Sequence, residues 1–109
     1  TDTNISVINY IKDLSLKYKN IIPGYSSHDL TIEASALAIA CGAQILEKHI
    51  KISSKKWAHF DETALDVNYE FPSWVQYMRS VEKLLGNQNK KIYDAEHHKY
   101  VFNKTRSKF

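Results

Sequence analysis

The chain alternates stretches of helical periodicity with short apolar runs, and this alternation limits its fold more than any other feature of the sequence. Apolar residues recurring every three or four positions are typical of amphipathic helices, whereas apolar runs of a few residues are typical of buried strands. The predicted helices cover residues 4–18, 31–40 and 71–85, and the predicted strands cover residues 21–22, running into 23–25, and 44–49. The predicted order is therefore helix, strand, helix, strand, helix.

Capping residues support these boundaries. Thr3 or Asn4 is a suitable N-cap for the first helix, and Cys41-Gly42 is a suitable stop for the second. Gly86 follows the last apolar residue of the third helix. Residues 51–68 show no period, and we predict an irregular loop there.

Alternation with short connections implies parallel strands joined by right-handed crossovers. Two such strands do not make a stable sheet, because parallel sheets are normally covered on both faces and flanked by neighbours. We therefore expect two successive strand–helix units of a larger α/β protein in residues 1–86. The absence of an initial Met agrees with a chain cut from a longer one. The apolar stripe of the third helix is expected to pack on the sheet rather than bind a partner.

Composition narrows the class of protein. With 43% hydrophobic and 25% charged residues, the chain has the make-up of a soluble globular protein. No apolar run approaches the roughly 18 residues that a membrane span needs, and the start resembles no secretory signal. The single cysteine, Cys41, excludes an intramolecular disulfide and favours a reducing compartment. We expect a cytoplasmic protein without a membrane partner.

Residues 87–109 form a basic tail with interleaved aromatic residues. Such a segment is compatible with a nucleic-acid strip, but it matches no nucleic-acid-binding motif of known spacing. A solvated tail or linker is the favoured interpretation, and no nucleic-acid partner is expected. The basic residues are Lys90, Lys91, Lys99, Lys104, Arg106 and Lys108.

Two histidines follow the predicted strands. His28 comes after the first strand, and His49 ends the second. Because parallel strands end at the same edge of a sheet, both imidazoles are expected at one rim, which is where ligands gather in α/β barrels and open sheets. Neutral imidazole is a common metal ligand, so the pair predicts a metal site with open positions. A single histidine at a strand end is more often a structural, hydrogen-bonded residue, and the placement of the pair makes the two interpretations about equal.

Several motifs in register around these histidines resemble the sialic acid (N-acetylneuraminate) synthase family. Its typical pattern is a Gly-Tyr-Ser-Asp-His-Thr turn, an Ile-Glu-Ala-Ser helix and a Glu-Lys-His strand end, with the same spacing between the histidines. The corresponding segments of this chain are Gly24-Tyr25-Ser26-Ser27-His28-Asp29, Ile32-Glu33-Ala34-Ser35, Gly42-Ala43 and Glu47-Lys48-His49.

The resemblance implies a fold and a reaction. Enzymes of this family are (β/α)₈ barrels that condense phosphoenolpyruvate with an open-chain N-acetylated amino sugar and release phosphate, so this chain would carry the last two strands of the barrel. His28 and His49 would match the ligands of a divalent metal, Mn²⁺ or Mg²⁺. Ser26 would match a hydroxyl that binds the phosphate, and Asp61 an aspartate that holds a sugar hydroxyl.

The sequence also departs from the family pattern. Ser27 replaces the usual Asp beside the first histidine, and residues 56–61 replace a Pro-Gly-Pro-Asp turn, which puts the role of Asp61 and the identity of the sugar in question. Glu33 and Glu47 are candidates for orienting an imidazole, although a helix-start charge and a solvent-exposed strand end explain them equally well. The remaining histidines, His59, His97 and His98, have no convincing ligand spacing, and Cys41 is interpreted as a small packing residue.

Three hypotheses follow. The first is a piece of a sialic acid synthase-like enzyme that, alone, binds metal weakly and turns over nothing, because a phosphate site needs more cationic groups than this chain supplies. The second is a non-catalytic metal-binding or self-associating remnant of such a barrel, with exposed strand edges. The third is a related phosphoenolpyruvate-using aldolase with another sugar acceptor.

Overall fold

The computed structural model describes residues 3–53, 55, 57 and 59–87. It confirms the α/β class and the three predicted helices. The elements in chain order are α1 (Val7–Lys17), β1 (Gly24–Ser27), α2 (Glu33–Ala40), β2 (Ile45–Lys48), β3 (Ile50–Lys51), β4 (Leu65–Asp66) and α3 (Glu70–Leu85).

Strands β1 and β2 form a parallel pair, as the alternation predicts. The register runs from Gly24 opposite Ile45 to Ser27 opposite Lys48, and α2 forms the crossover between the two strands. Since the strands run in the same direction and the register has no offset at its end, the residues that follow β1 and β2 emerge side by side.

The predicted position of the first strand is wrong in part, since only Gly24 and Tyr25 of the predicted residues belong to it. The strand is Gly24–Ser27, and Ile21 instead belongs to a turn in which its amide donates to the Tyr18 carbonyl at 3.2 Å. Pro23 has no amide hydrogen, and the pairing begins when its carbonyl accepts the Gln44 amide at 2.9 Å. The sequence pattern places the strand too early because Ser26 and Ser27, which end the observed strand, are polar, whereas Ile21 and Ile22 are apolar.

The prediction of an irregular loop over residues 51–68 is wrong in part. Two short strands, β3 and β4, pair in parallel, with Ile50 opposite Leu65 and Lys51 opposite Asp66. The Leu65 amide donates to the His49 carbonyl at 3.0 Å, and the Val67 amide to the Lys51 carbonyl at 2.9 Å. The pairing thereby brings the residues just before β4 close to the end of β2.

The two helix ends predicted from glycines are confirmed, whereas the predicted N-cap of the first helix is wrong. Gly42 has φ 113°, a backbone conformation that favours glycine, and its amide donates to the Ile39 carbonyl at 3.0 Å at the end of α2. Gly86 ends α3 with φ 61°. Helix α1 begins after Ser6 rather than Thr3 or Asn4, without a side-chain cap, because the Ser6 hydroxyl donates to the Asn4 side chain instead.

The apolar core is small. In the described part of the chain, the buried apolar side chains are Ile8, Pro23, Ala38, Ile39, Ala64 and Met78. Helix α3 contacts α2 and β4, and its apolar stripe also lines an open groove of about 780 Å³ together with residues of β2. None of the described helices combines the length and apolarity that crossing a membrane requires. The predicted basic tail, apart from Asn87, and both His97 and His98 lie outside the described residues.

Candidate metal centre

His28 and His49 lie side by side at the end of the β1–β2 ladder. Each is the residue directly after the last paired position, Ser27 on β1 and Lys48 on β2. Their ring centroids are 5.1 Å apart and the rings meet edge to face, at 79°. The expectation that both imidazoles share one rim of the sheet is therefore confirmed.

The Asp61 carboxylate contacts the rings of both His28 and His49. Its Oδ2 atom lies 3.0 Å from Nδ1 of His28 and 2.9 Å from Nδ1 of His49, and its side chain is only 10% exposed. The predicted role of Asp61 toward a sugar hydroxyl stays a prediction. Its contact with both histidines was not predicted, because it depends on how residues 50–66 fold back along β2.

The Asp61 carboxylate is held by the backbone turn that it starts. Its Oδ1 atom accepts the Thr63 amide at 2.8 Å and the Thr63 hydroxyl at 2.7 Å. This is the local side-chain-to-backbone bond that Asp favours in turns. The Thr63 hydroxyl contributes most to holding the pKa of the Asp61 carboxyl well below its usual range; the Thr63 amide and the two imidazoles act in the same direction, and burial opposes them. Asp61 is therefore ionised at neutral pH.

The three side chains fit a divalent cation. One ligand atom from each of His28, His49 and Asp61 lies within 4.8 Å of the others. Ligands at right angles around an ion with bonds of 2.1 Å are separated by about 3 Å, which is the spacing between the carboxylate oxygen and each Nδ1. If Nδ1 carries the hydrogen instead, the carboxylate accepts from both rings and orients them, as carboxylates beside ligating histidines do. Either protonation state makes Asp61 a member of the site.

Ser26 and Glu47 flank the histidines on the ladder itself. The Ser26 hydroxyl donates to Oε2 of Glu47 and lies 3.4 Å from Nε2 of His28. The other oxygen of Glu47 is 3.6 Å from Nε2 of His49. Glu47 thus lies where it can orient an imidazole, whereas Glu33 lies in the first turn of α2, where Thr31 lowers its pKa. The phosphate-binding role of Ser26 stays a prediction.

His59 is a neighbour of the site that spacing did not identify. Its Nδ1 atom accepts the Asp61 amide at 3.0 Å, and its ring centroid lies 5.0 Å from that of His49. Phe60 stacks on His59 with a centroid distance of 4.4 Å. The available signal was that His59 is only two residues from Asp61, the aspartate that the resemblance places near the sugar.

The chain is similar to one family of proteins in both sequence and structure. A model of the NeuB family matches residues 1–90. N-acetylneuraminate-9-phosphate synthase from Homo sapiens is 35% identical over 87% of this chain, and pseudaminic acid synthase from Campylobacter jejuni is 33% identical over 78% of it. The solved structure of an N-acetylneuraminic acid (sialic acid) synthetase from Leptospira borgpetersenii, in complex with citrate, superposes on 93% of the chain with a TM-score of 0.70 and 27% identity.

These matches cover only part of each relative. The chain spans 25% of the length of the curated synthases and 35% of the solved chain. The matched part includes β1, β2 and every member of the candidate metal centre.

Proposed function

Because this chain belongs to the NeuB family, we propose that it supplies the metal-binding rim of a synthase that condenses phosphoenolpyruvate with an N-acetylated amino sugar such as N-acetylmannosamine. The observation that carries the proposal is the convergence of His28, His49 and Asp61 at the ends of adjacent parallel strands. In the proposed whole enzyme, β1 and β2 are the last two strands of a (β/α)₈ barrel, whose active sites lie at this end of the strands.

The three residues would contribute differently to a bound metal ion. Each imidazole would provide a nitrogen ligand, and the Asp61 carboxylate would provide the negative charge that offsets part of a divalent cation's charge. Mn²⁺ or Mg²⁺ bound there would polarise the sugar aldehyde and so favour attack by the methylene carbon of phosphoenolpyruvate. Glu47 holds Ser26 and faces His49, and in this proposal it keeps that ring oriented.

Two further roles belong to the proposal. Ser26 would turn its hydroxyl from Glu47 toward the phosphate of phosphoenolpyruvate, and Asp61 would hold a sugar hydroxyl near the cation. The support for both is position, since each side chain is within hydrogen-bonding range of a candidate metal ligand. The other cationic groups that a phosphate needs would come from the rest of the enzyme.

A related aldolase with another acceptor sugar is the second candidate. The relatives include both an N-acetylneuraminate-9-phosphate synthase and a pseudaminic acid synthase, at nearly equal identity. The stacked His59 and Phe60 beside His49 occupy the segment where the sequence departs from the family pattern. We infer that this segment selects the acceptor.

A non-catalytic, self-associating remnant is the third candidate. It is favoured by large apolar side chains that remain exposed at the open edge of β2 and along α3, including Ile45 at 56% and Leu85 at 51% exposure. Size-exclusion chromatography tests it. A monodisperse monomer would argue against a sheet edge that needs a partner.

Metal binding by the chain tests the first step of the proposal. We expect Mn²⁺ to bind weakly, measured by the electron paramagnetic resonance signal of the free ion, and Mg²⁺ to compete. His28→Ala and His49→Ala should each reduce affinity by at least about 100-fold, since even the outer partners of metal ligands contribute up to about that factor. His59→Ala is the matched control and should retain most of the affinity. Equal losses in all three variants would contradict the proposed ligand set.

The reaction is tested in a complete barrel. Residues 1–90 would replace the matched quarter of an N-acetylneuraminate-9-phosphate synthase, and phosphate release from phosphoenolpyruvate would be measured with several N-acetylated amino sugars. We expect turnover that depends on Mn²⁺ and on the acceptor, and none in the His49→Ala form of the same chimera. A folded chimera that binds Mn²⁺ but shows no turnover with any acceptor would favour the non-catalytic candidate.

A further inference from the structure

The backbone ladder between β1 and β2 ends one residue before both candidate metal ligands. Its last pair is Ser27 opposite Lys48, so His28 and His49 lie beyond it. Backbone pairing up to Ser27 and Lys48 sets how far apart the two strands lie, but it does not fix the orientation of the side chains that follow. A side-chain contact that joins the two strand ends beyond this pair can therefore influence how the two rings are placed.

Lys48 makes such a contact. Its Nζ atom donates to the backbone carbonyl of Asp29 at 2.9 Å. Lys48 directly precedes His49 and Asp29 directly follows His28, so the bond connects the two strand ends immediately around the histidines. Lys48 is half-buried, and fixing a long side chain in one rotamer carries an entropic cost that a specific bond must offset.

The accepting turn is held from a second side. The Tyr25 hydroxyl donates to the Asp29 carboxylate within β1 and its following turn. Asp29 is thereby connected to its own strand through its side chain and to β2 through its carbonyl. Because both the carboxylate and the carbonyl of Asp29 are bonded, we expect a shift of Lys48 to move Asp29 and, with it, the adjacent His28.

We propose that Lys48 is a positioning residue, whose bond to the Asp29 carbonyl fixes the separation and orientation of His28 and His49. The part that concerns a bound metal rests on the proposed function. The part that concerns ring separation does not, because it applies equally to the metal-free chain.

The charge of Lys48 and its contact with the Asp29 carbonyl should affect metal affinity in opposite directions. An ammonium group near a divalent cation repels it, so an electrostatic effect alone would make Lys48→Met bind the ion more tightly. Loss of positioning would make the same variant bind it more weakly. The sign of the change therefore separates the two effects.

Mn²⁺ titrations of three variants test the inference. We expect Lys48→Met to bind Mn²⁺ about 10-fold more weakly, as expected for loss of a contact that orients ligands. Lys48→Arg keeps a donor and should recover part of that loss. Lys17→Met, which removes the same charge from an exposed position on α1, should bind as the unchanged chain does. Unchanged or tighter binding by Lys48→Met would overturn the inference.

A metal-free measurement separates this inference from the proposed function. The nuclear Overhauser effect between the ring protons of His28 and His49 reports their separation directly. We expect it in the unchanged chain and in Lys17→Met, and we expect it to weaken or vanish in Lys48→Met. If the unchanged chain binds no Mn²⁺ but the ring signal still depends on Lys48, the proposed metal site fails and the positioning role stands. If Mn²⁺ binds and the ring signal is indifferent to Lys48, the positioning role fails alone.

Discussion

The two sides of the candidate metal centre are held by different kinds of structure. His28 and His49 follow strands that pair over four residues, with α2 as the connection between them. Asp61 lies in the segment between β3 and β4, which pair over only two residues. The histidine side is thus built by a backbone ladder, and the aspartate side by a folded-back loop.

The two sides of the site should differ in how easily they change. Backbone pairing fixes strands β1 and β2, which carry the histidines, and this pairing does not depend on particular side chains. Asp61 keeps its position through side-chain bonds, chiefly the two from Thr63. Loops also tolerate insertion and replacement better than strands do. We therefore expect the aspartate side to be more variable in its chemistry.

Among the substitutions that test this comparison, the largest effect is expected at Asp61 and tests whether Asp61 acts through its charge. Asp61→Asn should weaken Mn²⁺ binding by about 10- to 100-fold, because the amide keeps the shape but loses the negative charge that faces both imidazoles. Titration calorimetry measures the change.

Asp66→Asn is the matched control for that substitution. Asp66 is 6% exposed and its Oδ1 accepts the Asn68 amide at 2.8 Å, the same local turn that Asp61 makes with Thr63. Among the contacts of the described residues, none joins Asp66 to His28 or His49. Equal losses in the two variants would mean that the turn, and not the charge, matters.

A smaller effect is expected from the residue that holds Asp61. Thr63→Val removes the hydroxyl that donates to Oδ1 and should lower the free energy of unfolding by about 1 kcal/mol, as for a typical hydrogen bond, since the Thr63 amide still donates to the same oxygen. It should also raise the pKa of Asp61 toward its usual range. Urea denaturation and carboxyl-carbon NMR measure the two changes. Thr63→Ser retains the hydroxyl, and a loss in Thr63→Ser as large as in Thr63→Val would rule out the hydrogen bond as the cause.

The smallest effect is expected on the ladder side, at alkaline pH. Burial, followed by the hydrogen bond to Asp29, raises the pKa of Tyr25 from 10.0 to about 12. The folded chain then holds a proton that the unfolded chain loses, so this contribution to stability is complete below pH 10 and disappears as the pH rises toward 12. Tyr25→Phe should remove this part of the pH dependence.

Urea denaturation at pH 8 and pH 11 measures the alkaline effect. Tyr10→Phe is the control, because Tyr10 is 65% exposed on α1. A steep alkaline loss of stability that persists unchanged in Tyr25→Phe would show that other groups cause it.

Local patterns predicted the three helices and the two helix ends that are marked by glycine. Helical spacing of apolar residues identified α1, α2 and α3, and Gly42 and Gly86 marked two helix ends, since both facts depend on neighbours within about four residues. The strands were harder to predict. Strand β1 ends in Ser26 and Ser27, which lack an apolar pattern, and β3 and β4 are too short to show a period.

The candidate site divides in the same way. The order of residues alone places His28 and His49 at matching strand ends, because the direction of neighbouring parallel strands follows from a single crossover helix. The contacts of Asp61 with both rings, and of Lys48 with the Asp29 carbonyl, join residues 12 to 33 positions apart through side chains. No local rule specifies such contacts, because they depend on how a loop and two strand ends pack in three dimensions. Only the tertiary structure decides them.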